Sequence, residues 1–356
     1  MRLGTDALKF PAADRMSPVE ILEAAAAEGL EGVFFRTMSS MSASLDAAVI
    51  RDIRGRADDL GLYLESGLGK VNPFGSAETP ELRAFGDGDM ILGYRRVMES
   101  AAAIGITELW ASTGSIKPYP GRFAYDRFRT DASWAEQLEA TERLLRILAP
   151  IARDLGVHIN LETHEEITSF ELVRLVEAVG PDAIGITFDT ANVVQRAEHP
   201  TWAAQRVAPY VRQTHLKDTS LFLASDGFLH QMRPVGEGVL DLERILQILF
   251  EARPGLHLSL ELAQVRAGRP PRRLPVQIYD PEWLAGHPDL SPEELAACIE
   301  LAETYASRIA ADGGDDFDAY AKRPFEYSEA VSYLRTSVKN VRAAASRAGV
   351  PVGDQA

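Results

Sequence analysis

The chain has 356 residues, 46% hydrophobic and 25% charged, and this composition excludes a disordered, collagen-like or low-complexity protein. Its 37 Lys and Arg residues against 52 Asp and Glu residues give a formal net charge of −15, which argues against general binding to nucleic acid or to anionic membranes. Cys298 is the single cysteine, so no internal disulfide is expected. No signal-like N-terminus and no apolar run of membrane-spanning length is present, and these features predict a cytoplasmic protein outside the membrane.

Short apolar runs rich in β-branched residues alternate along the chain with longer segments whose apolar residues have helical spacing. The first predicted helix begins at Ser17, where Ser-Pro-Val-Glu supplies a cap, a proline suited to the first helical position and the glutamate of a capping box. Ser291 begins a helix with the same signal. The predicted strands, in chain order, are 3–8, 32–36, 62–66, 108–112, 158–164, 184–190, 211–217 and 257–262.

Eight strands, each followed by a helical segment, predict an α/β protein with the (β/α)8 TIM barrel fold. We expect residues 1–356 to form a single barrel domain, since barrels of this size are common. The alternative is a doubly wound open sheet. No predicted strand is followed by a glycine-rich phosphate-binding loop, and this favours the barrel.

Two segments exceed a minimal barrel. Residues 263–290 follow the last strand and are rich in proline, with a basic patch formed by Arg266, Arg269, Arg272 and Arg273. A loop this long at the catalytic face of a barrel predicts a lid or a partner-docking segment, and an ordinary solvated loop is the alternative. Residues 324–350 have the pattern of an extra helix packed on the outside.

Four of the predicted strands end beside residues suited to bind a hard metal ion. These residues are Glu162 in INLETH, Asp189 in GITFDT, His215 in VRQTHLKD and Glu261 in HLSLEL. They follow one another at intervals of about one strand-helix repeat, with a longer interval before the last. Because inward side chains converge at the carboxyl ends of neighbouring barrel strands, we expect all four to bind one ion.

A single charged residue near a strand end is more often solvent-exposed or part of an ion pair, but four at matched positions are hard to explain in that way. Three carboxylates and one imidazole favour Mn²⁺, with Mg²⁺ or Co²⁺ as alternatives. The lack of thiolate ligands argues against a structural zinc site. We expect the ion to keep open positions for substrate.

The segment 157–262 resembles the xylose isomerase-like barrel superfamily through its ETH, FDTAN, THLKD, RPVGEG and LSLEL motifs. That superfamily contains sugar-phosphate isomerases, keto-sugar epimerases and metal-dependent abasic-site nucleases. The resemblance implies that Glu162, Asp189, His215 and Glu261 bind one divalent ion, often manganese. It further implies that Glu162 and Glu261 pass a proton beside a carbonyl, as the two glutamates of the epimerases do.

The same resemblance indicates substrate contacts and one departure from the family. Arg233 of RPVGEG matches a position that contacts substrate. Asn192 stands where many epimerases have histidine, which weakens a plain epimerase assignment, and we retain it as a candidate substrate contact. The nucleases assemble three metal ions and need a basic channel for DNA, which the net charge of −15 disfavours.

Three further residues are candidates for roles beside the ion. His164 should point inward because strand side chains alternate, and its ordinary pKa near 6.5 suits a general base; the alternative is a structural histidine bonded to the loop. Lys217 should also face the barrel, where it would support an oxyanion or neutralise Asp189. Lys70, after strand three, is a candidate substrate contact.

Within the superfamily, the chain is most similar to the larger subunit of bacterial C-glycoside deglycosidases. The segments LGKVNPF and ELWAST, the aromatic stretch 119–128 and the long loop 263–290 carry this resemblance. It implies a 3-oxo-glycoside substrate, cleavage of the carbon–carbon bond to an aromatic aglycone by elimination, and a heteromeric complex with a small β-rich subunit. Trp110, Phe123, Tyr125 and Phe128 are candidates for an aromatic-binding wall, and simple packing is the alternative for each of them.

Such a reaction is chemically reasonable at a metal site. A ketone at C3 acidifies the neighbouring C2 hydrogen, a cation stabilises the enolate, and the group on C1 can then leave. The paired carboxylates of an ordinary glycosidase would be insufficient, because protonating an ether oxygen does not break a carbon–carbon bond. The favoured prediction is therefore a 3-oxo-C-glycoside deglycosidase, and we expect an oligomer. The alternatives are a keto-sugar epimerase or isomerase and a non-catalytic scaffold subunit.

Overall fold

The computed structural model describes residues 1–114, 117, 123–262 and 273–351. Eight parallel strands close into a barrel, so the predicted TIM barrel is confirmed and the doubly wound open sheet is wrong. The barrel strands are β1 (Arg2–Asp6), β2 (Gly32–Phe35), β3 (Tyr63–Lys70), β4 (Glu108–Ser112), β5 (His158–Glu162), β6 (Ile184–Asp189), β7 (Val211–Leu216) and β10 (His257–Leu260).

The barrel closes between its first and last strands. Thr5 of β1 pairs with Leu260 of β10 on one side and with Val33 of β2 on the other. Around the barrel the order is β1, β10, β7, β6, β5, β4, β3, β2, and each strand is parallel to its neighbours. All carboxyl ends therefore meet at one mouth, which is where barrel enzymes place their chemistry.

Several strands end earlier than predicted, at side chains that cap the next turn. The strand β1 ends at Asp6, because its carboxylate accepts a hydrogen bond of 2.7 Å from the backbone N–H of Leu8 and begins a short 3-10 turn. The strand β5 ends at Glu162 rather than at His164. By contrast, β3 continues to Lys70 through an irregular register beside Gly69, whose φ is 99°.

An antiparallel hairpin follows β7 and was not predicted. It consists of β8 (Asp218–Ala224) and β9 (Gly227–Arg233), and β11 (Arg273–Val276) adds a third strand along β9. The Asp226-Gly227 pair is the sequence signal for this turn. At Gly227, with φ 144°, a Cβ would lie 2.0 Å from the Val276 carbonyl oxygen, so the close approach of β11 requires glycine.

The predicted loop 263–290 contains regular structure in its described part, namely β11 and a short helix over Pro281–Ala285. Residues 263–272, with Arg266, Arg269 and Arg272 of the basic patch, lie outside the described residues. A lid or partner-docking role for this segment remains a prediction.

Helices surround the barrel and bury one face each against the strands. The predicted helix starts are confirmed, since Ser17 forms a capping box with Glu20, and the Ser291 hydroxyl accepts from the Glu294 N–H at 3.1 Å. The extra C-terminal helix is also confirmed. In order, the helices are α1 (Pro18–Ala27), α2 (Ala47–Asp59), α3 (Pro80–Phe85), α4 (Met90–Ala102), α5 (Trp134–Leu155), α6 (Ser169–Val179), α7 (Pro200–Val207), α8 (Leu242–Ala252), α9 (Pro281–Ala285), α10 (Pro292–Asp312), α11 (Phe317–Ala321) and α12 (Tyr327–Arg347).

The main core lies between the strands and the surrounding helices, and the barrel interior is partly polar. Asn160 of β5 and Gln213 of β7 join across the interior through a hydrogen bond of 3.2 Å, one layer below the mouth. Among the helices of the described residues, none is long and apolar enough to cross a membrane.

Candidate metal centre

Three carboxylates and one imidazole meet at the mouth of the barrel. Glu162 ends β5, Asp189 ends β6, His215 lies near the end of β7, and Glu261 directly follows β10. One ligand atom from each lies within 4.8 Å of those from the other three. All four side chains are at least 98% buried. The structure thus brings together the four residues that the sequence singled out, and their role as ligands is a proposal taken up below.

Strand register explains why these side chains converge. Asp189 of β6 is directly opposite His215 of β7, and Ser259 of β10 is opposite His215 on the other side. Glu162 is opposite Thr187, two residues before Asp189. Residues two apart on a strand point to the same face, so all of these positions face one point on the barrel axis.

Hydrogen bonds hold Glu162 and His215 in a fixed orientation. The Glu162 Oε2 atom accepts from the Trp110 indole Nε1–H at 2.9 Å, and Oε1 lies 2.8 Å from His215 Nδ1. The His215 ring packs 4.7 Å from the ring of Phe34. Trp110 was predicted to form part of an aromatic wall, and here its polar edge positions a carboxylate.

Asp189 and Glu261 present carboxylate oxygens that accept no well-directed hydrogen bond. The Asp189 Oδ1 atom accepts from the backbone N–H groups of Ala191 and Asn192 at 3.1 and 3.0 Å. Its Oδ2 atom and Glu261 Oε2 are buried and accept no hydrogen bond from the part of the chain that the structure describes. The Lys217 ammonium lies 2.6 Å and 3.0 Å from these two oxygens and offers them charge. Lys217 therefore neutralises Asp189, as one of its two predicted roles requires.

The donor set of this cluster fits a divalent metal ion. Buried carboxylate oxygens without hydrogen bonds are costly unless a cation compensates them. Oxygen ligands with one imidazole suit hard or borderline divalent ions. The four side chains converge from four strands, which leaves the side facing the mouth for substrate.

The pKa values of two of the carboxyls move in opposite directions. Burial favours the neutral form of Glu162, but the charges of His164, His215 and Lys217 hold its pKa well below the usual range. Burial raises the pKa of Asp189, and the charge of Glu162 adds to this while Lys217 opposes it. Glu162 thus remains ionised within a group of closely packed charges.

His164 lies beside the cluster in a chain of hydrogen bonds. Its Nδ1 atom is 2.7 Å from Glu166 Oε2, its Nε2 atom is 3.7 Å from Glu162 Oε2, and Glu166 accepts from the Thr113 hydroxyl at 2.6 Å. The buried Glu166 was not singled out from the sequence, although it stands in the same ETHEE motif.

The pKa of His164 differs from the ordinary value on which the prediction of a base relied. Burial lowers this pKa, but the negative charges of Glu166 and Glu162 outweigh burial and raise it to about 9. At that value the imidazole is protonated at neutral pH and donates to Glu166. A divalent cation on Glu162 would offset part of this negative charge and favour the neutral imidazole that a base requires.

Two cationic residues that the sequence analysis missed face Glu261 from the first two strands. Lys9 follows β1 and its Nζ forms an ion pair with Glu261 Oε1, and Arg36 follows β2 with Nη2 at 3.3 Å from the same oxygen. Burial and the charges of Lys217 and Arg36 lower the pKa of Lys9 to about 7. Their positions directly after strands were the available signal.

The remaining predicted substrate contacts, Asn192, Arg233 and Lys70, lie in three different parts of the barrel mouth and its hairpin. Asn192 is buried beside Asp189, and within residues 1–114, 117, 123–262 and 273–351 its Nδ2 group has no hydrogen-bond partner, so it could donate to a ligand. Arg233 is buried at the end of β9, donates to Gln231 Oε1 at 3.0 Å and packs 3.5 Å from the centre of the Tyr320 ring. Lys70 ends β3 and is two strands from β5 in the barrel.

The other aromatic residues proposed for a binding wall are packing residues. Phe123 and Tyr125 are buried in a second apolar cluster that also contains Trp283 of α9 and Cys298 of α10. Phe128 is partly buried against the same cluster. We therefore correct the prediction for these three residues, because their rings are covered by α9 and α10.

Comparison with known proteins agrees with this geometry. The sequence profile described as xylose isomerase-like TIM barrel matches residues 22–285. The chain belongs to this family. The match covers most of the barrel, including the strands that carry the four clustered side chains.

Curated relatives show more distant similarity. The chain is 26% identical over 211 residues to the uncharacterized protein YihM of Escherichia coli strain K12. The aligned segment covers 57% of this chain and 62% of that protein. It is 25% identical over 225 residues to the 3-oxo-isoapionate decarboxylase of Pectobacterium atrosepticum, covering 63% of this chain and 70% of that enzyme. The match thus spans less than two thirds of the YihM chain.

A solved structure of a D-psicose 3-epimerase in the presence of D-fructose shares the fold. It superimposes with a TM-score of 0.56 at 16% identity and covers 87% of this chain and 99% of that chain. At this identity the likeness supports the barrel architecture alone.

Proposed function

We propose that this xylose isomerase-like barrel is a divalent-metal-dependent enzyme that removes a proton next to the carbonyl of an oxidised sugar. The observation that carries the proposal is the convergence of Glu162, Asp189, His215 and Glu261, one from each of four neighbouring strands, with His164 beside them. These four residues would hold the ion. When bound, it would act as a Lewis acid that stabilises negative charge on the substrate oxygen.

Mn²⁺ is the proposed ion, with Mg²⁺ or Co²⁺ as alternatives. Three carboxylates make the site hard, and the single imidazole adds borderline character. The backbone N–H groups that bind Asp189 Oδ1 and the Trp110 indole that binds Glu162 Oε2 fix the ligands in place, as groups around metal sites commonly do.

His164 and Glu261 are the proposed proton-transfer groups. His164 Nε2 faces Glu162 and is reinforced from behind by Glu166, so a neutral imidazole here can take a proton from a carbon held beside the cluster. Glu261 approaches from the opposite side of the cluster, because β10 and β5 are separated in the barrel by β7 and β6. Lys217, Asn192, Arg233 and Lys70 remain proposed substrate contacts, and of these Lys217 lies with its ammonium at the cluster.

The favoured reaction within this class is elimination from a 3-oxo-C-glycoside. The base removes the C2 proton, the electron pair of that bond forms the C1–C2 double bond, and the C1–aryl bond breaks with its pair going into the aryl ring, whose carbon gains a proton in place of its bond to C1. The curated decarboxylase relative supports this choice, since its name describes breaking a carbon–carbon bond in a 3-oxo compound. A keto-sugar epimerase shares the first step and is the second candidate.

Product analysis separates the candidates. Purified Mn²⁺-loaded protein, with and without a small β-rich companion chain, would be incubated with a 3-keto C-glucosyl flavonoid and separately with free ketohexoses in D₂O. We expect release of the aglycone from the 3-keto C-glucosyl flavonoid. Deuterium uptake beside the carbonyl of a free ketohexose, without aglycone release, would support the epimerase. The absence of both aglycone release and deuterium uptake would contradict the proposal.

The assembly and location of the protein are also proposals. The resemblance to the larger subunit of C-glycoside deglycosidases favours a small β-rich partner and an oligomer, and the segment 263–290 is the proposed docking or lid element. A cytoplasmic location and an absence of nucleic-acid binding follow from the sequence arguments. Co-purification of a small companion chain with the tagged protein would support the deglycosidase over the epimerase.

A further inference from the structure

A cavity of about 230 Å³ opens at the barrel mouth beside the candidate metal centre. It lies between the ends of β1 and β2 and the start of α1. Most of its lining is apolar, and two basic side chains belong to it. Its lining residues are Ala7, Leu8, Lys9, Phe10, Ala12, Ala13, Asp14, Met16, Pro18, Ile21, Phe35, Arg36 and Ser40.

The two basic residues join this cavity to the catalytic cluster. Lys9 pairs with Glu261 Oε1, and Arg36 Nη2 lies 3.3 Å from the same oxygen and 3.5 Å from Asp6 Oδ2. The Arg36 guanidinium stacks 5.1 Å from the centre of the Trp110 ring, and its buried Nε–H has no hydrogen-bond partner among the described residues. Donors are thus concentrated at the end of an apolar cavity nearest the proposed reacting carbon.

This combination suits an aromatic group with an acidic hydroxyl better than a sugar. A sugar ring would lose hydrogen bonds to water against walls such as Phe10, Met16 and Phe35, which cannot replace them. The cavity is larger than the roughly 150 Å³ that accommodates benzene in an engineered protein core. A phenolate oxygen directed at Lys9 and Arg36 would satisfy the free Arg36 donor and bring negative charge to two basic groups.

We propose that this cavity binds the aromatic leaving group, with Lys9 and Arg36 holding its phenolic oxygen. The inference rests on the proposed elimination. When the ring carbon bonded to C1 takes up a proton and the phenolic hydroxyl loses one, the ring becomes a dienone. Breaking the C1–aryl bond then returns the electron pair to the ring π system and leaves the negative charge on the phenolic oxygen as a phenolate, which is protonated on release. Hydrogen bonds from Lys9 and Arg36 lower the energy of that charge, and the products are the 1,2-unsaturated 3-oxo sugar and the free phenol.

Binding measurements test the cavity without turnover. Isothermal titration of the Mn²⁺-loaded full chain would use 2,4,6-trihydroxyacetophenone as a phenolic probe and acetophenone as the probe without hydroxyls. Lys9→Met and Arg36→Met should each weaken the phenolic probe by about tenfold and acetophenone by less than about threefold, because only the oxygen contacts are lost.

Two further variants provide the steric test and the control. Met16→Trp, which fills the cavity without contacting the cluster, should weaken both probes by at least about tenfold. Arg15→Met is the matched control, because Arg15 lies in the same segment with its side chain 79% exposed and does not line the cavity; both affinities should be unchanged. Thermal unfolding and metal content of each variant would exclude misfolding or loss of the ion as the cause.

Failure of this inference is distinct from failure of the proposed function. Unchanged affinity in Met16→Trp, or equal weakening of both probes in the Lys9 and Arg36 variants, would overturn the aglycone site. Deuterium exchange into a free 3-keto sugar needs no aglycone, so it tests the proposed function separately, and Arg15→Met should exchange at the wild-type rate. Absence of exchange in the wild-type protein would contradict the proposed function, while the binding results decide the aglycone site.

Discussion

At the scale of single residues, the site depends on groups that orient the proposed ligands as much as on the ligands themselves. Trp110 fixes one oxygen of Glu162, and two backbone N–H groups fix one oxygen of Asp189. Each carboxylate thereby presents its other oxygen to the centre. Such supporting contacts commonly change metal affinity by about 10–100-fold when removed.

Removing two of the four proposed ligands should abolish metal retention. We expect wild-type protein purified without added metal to retain about one Mn²⁺ per chain and the double variant Glu162→Gln, Asp189→Asn to retain little, because an incomplete ligand set no longer compensates dehydration of the ion. Elemental analysis measures the content. Equal metal content in the two proteins would contradict the assignment and favour the scaffold alternative.

Replacing His164 should separate proton transfer from metal binding. His164→Gln should retain the ion, since His164 Nε2 lies 3.7 Å from Glu162 outside the four-residue cluster, but should lower the rate of substrate C–H exchange by about 10²–10⁴-fold. Exchange into deuterated water, followed by mass spectrometry, gives the rate. Glu165→Gln is the neighbouring control and should stay close to wild type; a His164 variant with full exchange would exclude this residue as the base.

The sequence could predict the four ligand positions because each ends an apolar strand, and strand period alone orients the side chain. It could not predict the pKa of His164, since the charge of Glu166 acts through a contact that depends on the turn after β5. Lys9 and Arg36 were missed for a related reason. A basic residue after a strand is usually solvent-exposed, and only barrel closure between β1 and β10 brings these two to Glu261.

At the scale of elements, the polar layer below the mouth constrains how closely β5 and β6 can pack. Gly185 of β6 lies against Asn160 of β5, and a Cβ at this position would be 2.3 Å from Asn160 Oδ1. Asn160 is itself held by Glu108 and Gln213. The glycine therefore sets the spacing of the two strands that carry Glu162 and Asp189.

Gly185→Ala should lower the free energy of unfolding by about 2 kcal/mol and weaken Mn²⁺ binding, because the added methyl group forces two ligand strands apart. Gly55→Ala is the control. Gly55 lies inside α2 with no atom within 4 Å of an added Cβ, so alanine should stabilise by up to about 1 kcal/mol through its helix propensity. Urea unfolding measures both. A neutral Gly185 variant would show that the strands adapt to the larger side chain.

Elements that depend on residues nearby in the sequence agreed with prediction, and elements that depend on contacts with distant parts of the chain did not. The Ser17 capping box, the Ser291 cap and the strand cores follow from residues nearby in the sequence and were confirmed, although Ser291 forms only the cap and not the full box. The hairpin of β8 and β9 was missed because it pairs with β11, about forty residues further along the chain. Its Asp226-Gly227 turn was visible in the sequence, but the strand that completes the sheet lies in a proline-rich segment typical of a loop.

At the scale of the whole molecule, closing the barrel also buries ionisable groups below the mouth. Glu65 of β3 is buried and accepts a hydrogen bond of 2.9 Å from Ser259 of β10, across the interior. Burial raises the pKa of Glu65 to about 7, although the hydrogen bond from Ser259 opposes the increase. A carboxyl whose pKa is raised by folding favours the folded state at low pH, and this contribution is lost as the pH rises through about 7.

Glu65→Gln should therefore be more stable than wild type at pH 8, by up to about 2 kcal/mol, since glutamine resembles the neutral carboxyl and still accepts from Ser259. The difference should shrink below pH 6, where the wild-type carboxyl is protonated in the folded chain. Urea unfolding at several pH values measures this. Glu99→Gln, at a half-exposed position of α4, should leave the profile unchanged, and a Glu65 variant that is less stable at pH 8 would contradict the argument.

The four proposed ligands occupy one contiguous arc of the barrel, from β5 through β6 and β7 to β10, while the cavity proposed for the aromatic group lies on the adjoining arc at β1 and β2. The two arcs meet where Lys9 and Arg36 contact Glu261, so the strands that would select the leaving group differ from those that would hold the ion. Exchange of the first two strand-helix units between related barrels would be expected to transplant the choice of departing group, and leave the deprotonation machinery where it was.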